Sequence, residues 1–278
     1  MDIKQRIVFR EEEHKKFIRF LDEREIKYER DSSISLIVLE ILESNEFWSE
    51  INKYLIRKKM LPYTEGVYSR KEMEQAEWFV LRSKWRWEYP QPAGDGGFYH
   101  ITYSEKDYCK ECGSGLVQID SFRVKKTPNW KKKNFLMLNW IEDELFLSDN
   151  AKGILSNSNL KGFQFIDVVK PRIETKLEDF NQLKVNSILS PGIQDQDNTI
   201  REIIKCKKCG IVKYALTGRG LVYKKSIFQN DVDIVNSFEV FGWGHDAPRG
   251  IFVNQKFYQV IVNNGLEKNL EFVPIKLI

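Results

Sequence analysis

Cys109-Lys110-Glu111-Cys112-Gly113 and Cys206-Lys207-Lys208-Cys209-Gly210 contain every cysteine of the chain. A two-residue gap lets both sulfurs of one knuckle reach the same ion. The glycine behind it can take the positive φ that turns neighbouring N–H groups toward the thiolates. Two such knuckles supply a closed tetrahedral set with Zn–S near roughly 2.3 Å, leaving no position for water or substrate. The spacing predicts one structural zinc per chain, held by Cys109, Cys112, Cys206 and Cys209. Disulfides compete with this reading, but a reducing compartment disfavours them. Inert thiols have no reason to fall into two matched CxxCG pairs, and a thioredoxin-like redox pair would need a fold that repeats it. The 93 residues between Cys112 and Cys206 far exceed the roughly 15 to 20 of a local zinc finger. Folding must therefore bring the knuckles together over a long range.

Self-similarity explains that gap. Cys109 matches Cys206, Gly113 matches Gly210, and Lys125-Lys126 matches Lys224-Lys225. Residues 135–143 match 238–246, pairing Trp140 with Trp243 and Asp143 with Asp246. Leu145-Phe146-Leu147-Ser148 then matches Ile251-Phe252-Val253-Asn254, and 165–168 matches 272–275. The offset grows from 97 at the cysteines to 103 at the tryptophans and 106 to 107 beyond, as small loop insertions such as 247–249 would produce. This reads as a tandem duplication, copy one over about 98–170 and copy two over about 195–278. Each copy is a CxxCG hairpin leading to a β-α-β unit. Ser148 or Asp149 can cap a helix over 150–156, with a strand over 163–168 after Gly162. Asn254 caps the second helix, whose Phe257, Val260 and Ile261 share one face. Gly265 stops that helix, and a closing strand covers 270–277.

The region before the duplicate differs in kind. Residues 1–75 carry 15 basic and 16 acidic side chains and no cysteine. Phe17, Phe20 and Leu21 form one helical stripe, a run over 34–42 follows Asp31-Ser32-Ser33, and Phe47, Ile51, Tyr54 and Leu55 follow Ser44 until Pro62. Ser69-Arg70-Lys71-Glu72 is a capping box that opens a further helix. The chain then turns aromatic and β-like at 78–81 and 85–90. Gly94-Asp95-Gly96-Gly97 reads as a linker-like turn, and 98–103 as a strand entering the first knuckle. The expected organisation is α+β: a helical N-terminal region (1–75), then a duplicated CxxCG domain (76–278) sharing one four-cysteine zinc site.

The whole chain has 278 residues, 42% of them apolar and 30% charged, with a formal net charge of +4. These values exclude disorder and collagen-like repeats. No apolar run approaches the roughly 18 residues of a transmembrane helix. The start, Met1-Asp2-Ile3-Lys4, lacks a signal-peptide core, so a cytoplasmic location is expected.

Catalytic chemistry finds little support. His14 lies on a charged helical face and reads as solvated, and His100 alternates with Phe98 in a strand. Gly242-Trp243-Gly244-His245-Asp246 is the best place for an Asp-oriented imidazole, but its counterpart, 139–143, keeps only Trp and Asp. Phosphate-cradling, dinucleotide and nucleophile-elbow motifs are absent from the sequence. An enzyme is not expected.

Nucleic acid is the rival partner. Arg123, Lys125, Lys126, Lys131, Lys132 and Lys133 form a basic run around Trp130, and Lys84-Trp85-Arg86-Trp87 interleaves cations with rings. Lysines neutralise phosphates and indoles stack on bases. A solvated hairpin tip and a half-buried strand would look the same.

The paired CKECG and CKKCG knuckles, each leading to a Trp-x-x-Asp strand end and a β-α-β unit, resemble the double-CXXCG-motif protein family. The units 145–168 and 251–275 are also similar to the terminal unit of related bacterial immunity proteins. The resemblance covers residues 76–278. It implies a non-enzymatic protein, stabilised by zinc, that neutralises a cognate protein toxin by direct binding. The alternative is a zinc-ribbon nucleic-acid-binding regulator. Neither a membrane partner nor a small-molecule substrate is expected, and the charged N-terminal region is the expected partner surface.

Overall fold

The computed structural model describes residues 1–228 and 231–278. The chain divides into two units, one comprising Met1–Met73 with Thr217–Gly220, the other Glu74–Leu216 with Leu221–Ile278. Among the described residues there are eighteen strands and six short α-helices, so the chain is mostly β-sheet. The α+β reading with a helical N-terminal region is overturned.

The correction is plainest in the first unit. Its elements run β1 (Asp2–Arg10), α1 (Lys15–Glu23), β2 (Glu29–Asp31), β3 (Leu36–Leu42), α2 (Trp48–Lys58) and β4 (Tyr63–Val67). The sheet order is β2-β3-β1-β4, every pair antiparallel. This is a split β-α-β arrangement of the ferredoxin-like kind. Residues 34–42, expected as a helix, supply β3 because Ile37, Leu39 and Ile41 all turn inward while Glu40 faces out. A short apolar run rich in β-branched residues satisfies a strand and a buried helix equally well until its partner is known. That partner is β1, which buries Ile3, Gln5, Ile7 and Phe9 in register with it. Helices α1 and α2 cover this face with Phe17, Ile18, Leu21, Ile51 and Leu55. Each fully buried side chain of this size contributes about 1.5–3 kcal/mol. Thr217–Gly220 belongs here by its bonds: Gly66 N–H donates to Gly218 O at 3.1 Å, and Arg219 grips Glu43 with both guanidinium nitrogens.

Helix α3 (Arg70–Gln75) opens on its capping box, Ser69 and Glu72 exchanging bonds at 2.8 and 3.3 Å. The second unit follows with β5 (Trp78–Ser83), β6 (Arg86–Trp87), α4 (Gly97–Thr102), β7 (Tyr103–Ser104), β8 (Val117–Gln118), β9 (Phe135–Leu138), β10 (Leu145–Leu147), α5 (Asp149–Ser156), β11 (Phe163–Val169) and β12 (Lys176–Val185). Then come β13 (Ile200–Lys205), β14 (Val212–Leu216), β15 (Leu221–Tyr223), β16 (Ile234–Phe241), β17 (Arg249–Asn254), α6 (Gln255–Asn263) and β18 (Leu270–Leu277). Ser148 Oγ caps α5 by accepting from Ala151 N–H, and Asn254 Oδ1 caps α6 by accepting from Phe257 N–H.

Two sheets carry this unit. One has the order β11-β12-β10-β9-β6, the other β13-β14-β16-β17-β5-β18-β15. The five strands β18-β5-β17-β16-β14 repeat the order and directions of the first sheet, three antiparallel steps and then a parallel one. Register agrees as well. Leu183 lies between Leu145 and Phe165, and Leu81 lies between Ile251 and Phe272. Neither terminal unit is therefore a plain β-α-β. A middle strand separates β10 from β11 and β17 from β18, and in the second sheet it is β5, which precedes the first knuckle in the chain.

Three local expectations are corrected. Residues 98–102 lie in α4 rather than a strand, with only Tyr103 passing into β7, because Phe98 and Thr102 are buried at helical, not alternating, spacing. Gly94–Gly96 is a 3₁₀ turn running into that helix. Phe135 corresponds in register to Ile234, since Phe135 pairs with Leu147 and Ile234 with Val253. Phe238, its sequence match, lies on an irregular stretch of β16 where three residues face one, and is exposed. No described helix is long and apolar enough to cross a membrane.

Candidate metal centre

Both knuckles cross hairpins, β7-β8 for the first and β13-β14 for the second. Their backbone bonds match. Cys109 N–H donates to Ser114 O at 2.8 Å and Gly113 N–H to Cys109 O at 2.8 Å; Cys206 N–H donates to Ile211 O at 2.9 Å and Gly210 N–H to Cys206 O at 3.0 Å. Gly113 and Gly210 sit at φ +78° and +77°, a left-handed conformation that glycine adopts without steric cost. The long-range closure of the fold sets the knuckles face to face.

The four sulfurs all lie within 4.8 Å of one another, with Cys109–Cys206 at 3.8 Å and Cys112–Cys209 at 3.5 Å. These separations are far longer than a disulfide bond of about 2.05 Å. They suit the edges of a thiolate tetrahedron, about 3.8 Å when each sulfur lies about 2.3 Å from a central ion. The donor set thus fits a metal ion. Cys109 and Cys112 are buried, whereas Cys209 is exposed. Burial pushes the Cys112 thiol up to about 11 against the bond from Ser114, while the Ile211 N–H chiefly draws Cys209 down to about 6. Cys209 is thus a readier thiolate than Cys112.

Lys213, which the sequence reading did not single out, holds the surroundings in place. Its buried ammonium donates to the carbonyls of Cys112 (3.1 Å), Gly244 (2.6 Å) and Asp246 (3.1 Å), using all three protons. The loop 242–246 is thereby tied to the first knuckle. Contact there is so close that a Cβ on Gly113 would stand 1.7 Å from His245 O. Alternation within Val212-Lys213-Tyr214-Ala215 held the signal, because it places Lys213 on the same inward face as Ala215.

Histidines are not brought together. His14, expected in solvent, is packed edge-on to Phe9 with Nδ1 2.7 Å from Tyr54 Oη. His100 is exposed on α4, 2.5 Å from Glu105, and His245 is exposed on its loop. Nor do the basic-aromatic runs present free indoles and cations throughout. Trp130 is buried and donates to Asp179 O, Arg123 is buried between Asp120 and Glu174, and Lys126 and Lys133 lie over the rings of Trp87 and Trp85. Lys125, Lys131 and Lys132 are exposed.

Beyond the knuckles, Glu144 is a buried carboxylate that burial pushes up to about 7, against the opposing pull of Lys184 and Gln182. Burial likewise raises its neighbour Asp143, against Lys184 and Arg249. The Tyr99 hydroxyl is raised by burial first, then by Tyr108, Asp246 and Asp143. Neither a protein-family model nor a curated protein matches this chain.

Proposed function

We propose that the chain is a non-enzymatic binding protein whose scaffold is closed by one structural zinc. The cluster of Cys109, Cys112, Cys206 and Cys209, drawn from hairpins 97 residues apart, carries this reading. Four thiolates fill a tetrahedron, so zinc bound there has no open position for chemistry and contributes folding energy instead. All-sulfur donors favour zinc over hard cations. A reducing cytoplasm, where thiols stay unpaired, suits the site.

The partner in this reading is a protein toxin, neutralised by occlusion. That part rests on the likeness of the paired CxxCG knuckles to immunity proteins. Protein is favoured over nucleic acid by the occupied state of Trp130 and Arg123 and by the lysines over Trp85 and Trp87. The test is co-expression with the protein encoded beside this chain's gene, in a host whose growth that neighbour arrests. Restored growth with the wild type, lost with Cys206→Ser, together with a stoichiometric complex, is the expected result. No complex and no rescue would remove the toxin reading. A gel shift by DNA that is lost on replacing Lys131, Lys132 and Lys133 would install the nucleic-acid rival.

A further inference from the structure

Each knuckle closes on the same backbone bond, Cys109 N–H to Ser114 O and Cys206 N–H to Ile211 O, so Ser114 and Ile211 are equivalent positions. Their side chains are placed differently: Ile211 is 38% exposed, whereas Ser114 is 6% exposed. The chain behind them differs too. Ile211 runs directly into β14 at Val212, while Gly115 and Leu116 stand between Ser114 and β8. Gly115 sits at φ +95°, and a Cβ there would stand 1.9 Å from Asp107 O. A left-handed turn packed this closely on backbone admits glycine alone. The first knuckle therefore departs from the repeat at the residue whose side chain it buries.

That buried hydroxyl has only sulfur to bond. Ser114 Oγ lies 3.0 Å from Cys112 Sγ and 3.7 Å from Cys209 Sγ, and it has no other hydrogen-bond partner among the described residues. An interior hydroxyl without an acceptor is costly, and Ser114 has one proton to give, so the proton is directed at a cysteine. Cys112 and Cys209 belong to opposite knuckles and stand 3.5 Å apart. Among the described residues, Ser114 is the one side chain outside the four cysteines that bonds their sulfurs, and it reaches one sulfur from each half of the centre.

The chemistry of the donor set gives this bond a purpose. Four thiolates around a divalent ion leave two net negative charges, and three of the four cysteines are buried. Water can solvate the exposed Cys209, but Cys112 is shut away from it. The nearby ammonium of Lys213 is spent on carbonyl oxygens, that of Cys112 included, and not on sulfur. A hydrogen bond to an ionised acceptor is about twice as strong as one between neutral groups. Donors that bond the ligands of a metal help to hold the ion. The Ile211 side chain has no donor to offer, so the second knuckle cannot supply the same bond.

We propose that Ser114 tunes the metal centre: its hydroxyl donates to the Cys112 thiolate, with Cys209 as the alternative acceptor, and tightens the grip of both knuckles on one ion. The proposal rests on the reading of the four cysteines as a zinc centre and adds a positioning residue to it. The test uses the full chain loaded with cobalt(II), whose sulfur-to-metal charge-transfer band reports the electron density on the thiolates, and zinc competition against a chelator. Ser114→Ala removes the hydroxyl alone. Its band is expected to move to lower energy, and its zinc to be held about tenfold less tightly. Ile211→Ala, at the equivalent position, is expected to leave the band in place. Circular dichroism at saturating metal should match the wild type in both variants. An unmoved band in Ser114→Ala, with or without a loss of affinity, would overturn the proposal, as would the same shift in Ile211→Ala. A Ser114→Ala chain that fails to fold would also overturn it, since the hydroxyl would then serve the fold and not the sulfurs. Failure of the zinc reading itself is distinguishable, because the wild type would then bind neither metal.

Discussion

Gly113 and Gly210 occupy the same place in the two knuckles at nearly the same φ, but their surroundings differ. A Cβ on Gly113 would meet His245 O at 1.7 Å, whereas one on Gly210 meets nothing within 4 Å. Alanine at either position pays the same left-handed cost, about 1–2 kcal/mol. Only Gly113→Ala must also push the loop 242–246 away, and that loop is what Lys213 holds. Losing one or two carbonyl partners of a buried ammonium costs about 1.5–3 kcal/mol each. We therefore expect Gly210→Ala to cost about 1–2 kcal/mol and Gly113→Ala about 2–3 kcal/mol more. The assay is thermal unfolding of the zinc-loaded chain, with zinc transfer to a chelator followed in parallel. A further fall in Tm of about 5–10 °C for Gly113→Ala is expected for a unit of this size. Equal losses for the two variants would refute the claim that the loop is locked to the knuckle.

Lys213→Met should destabilise the chain by about 2–4 kcal/mol, because three buried carbonyls lose their donor, and hydrogen exchange should show 242–246 opening first. Glu144 is raised from 4.5 to about 7, so the folded state holds its proton more tightly than the unfolded chain. Its contribution is complete below about pH 4.5 and is lost as pH rises through about 7, by at most about 3 kcal/mol. Chemical denaturation of Glu144→Gln between pH 5 and 8 should show a flatter pH profile than the wild type; an unchanged slope would assign the dependence elsewhere. Leu81→Ala and Leu183→Ala occupy equivalent registers, both fully buried, and should each cost about 2–5 kcal/mol in urea unfolding; a large cost for only one would break the equivalence of the two sheets.

What the sequence disclosed was local. Each knuckle is a five-residue signal, and the caps Ser148 and Asn254 lie next to the helices they start, so both are readable without knowing the partners. The N-terminal sheet was hidden for a specific reason: β1 places Gln5 inward among Ile3, Ile7 and Phe9, where it bonds Glu43 at 2.6 Å and Thr64 at 2.8 Å. A polar residue in the buried row blurs the alternation. The insertion of β5 between β17 and β18 depends on pairing across about 170 residues, for which no local pattern exists. The irregular stretch of β16 misled the alignment of Phe238, because an insertion inside a strand looks like a loop insertion in one dimension. Lys213 was legible only by trusting alternation over the usual preference of lysine for solvent.

The central claim is a single metal ion joining the two knuckles, and native mass spectrometry of the chain purified under reducing conditions tests it most directly. The expected spectrum is one zinc per chain, retained with all four cysteines and lost in Cys206→Ser. A chain without metal, a chain with two ions, or a mass lowered by the hydrogens of a disulfide between Cys109 and Cys206 or between Cys112 and Cys209 would contradict it.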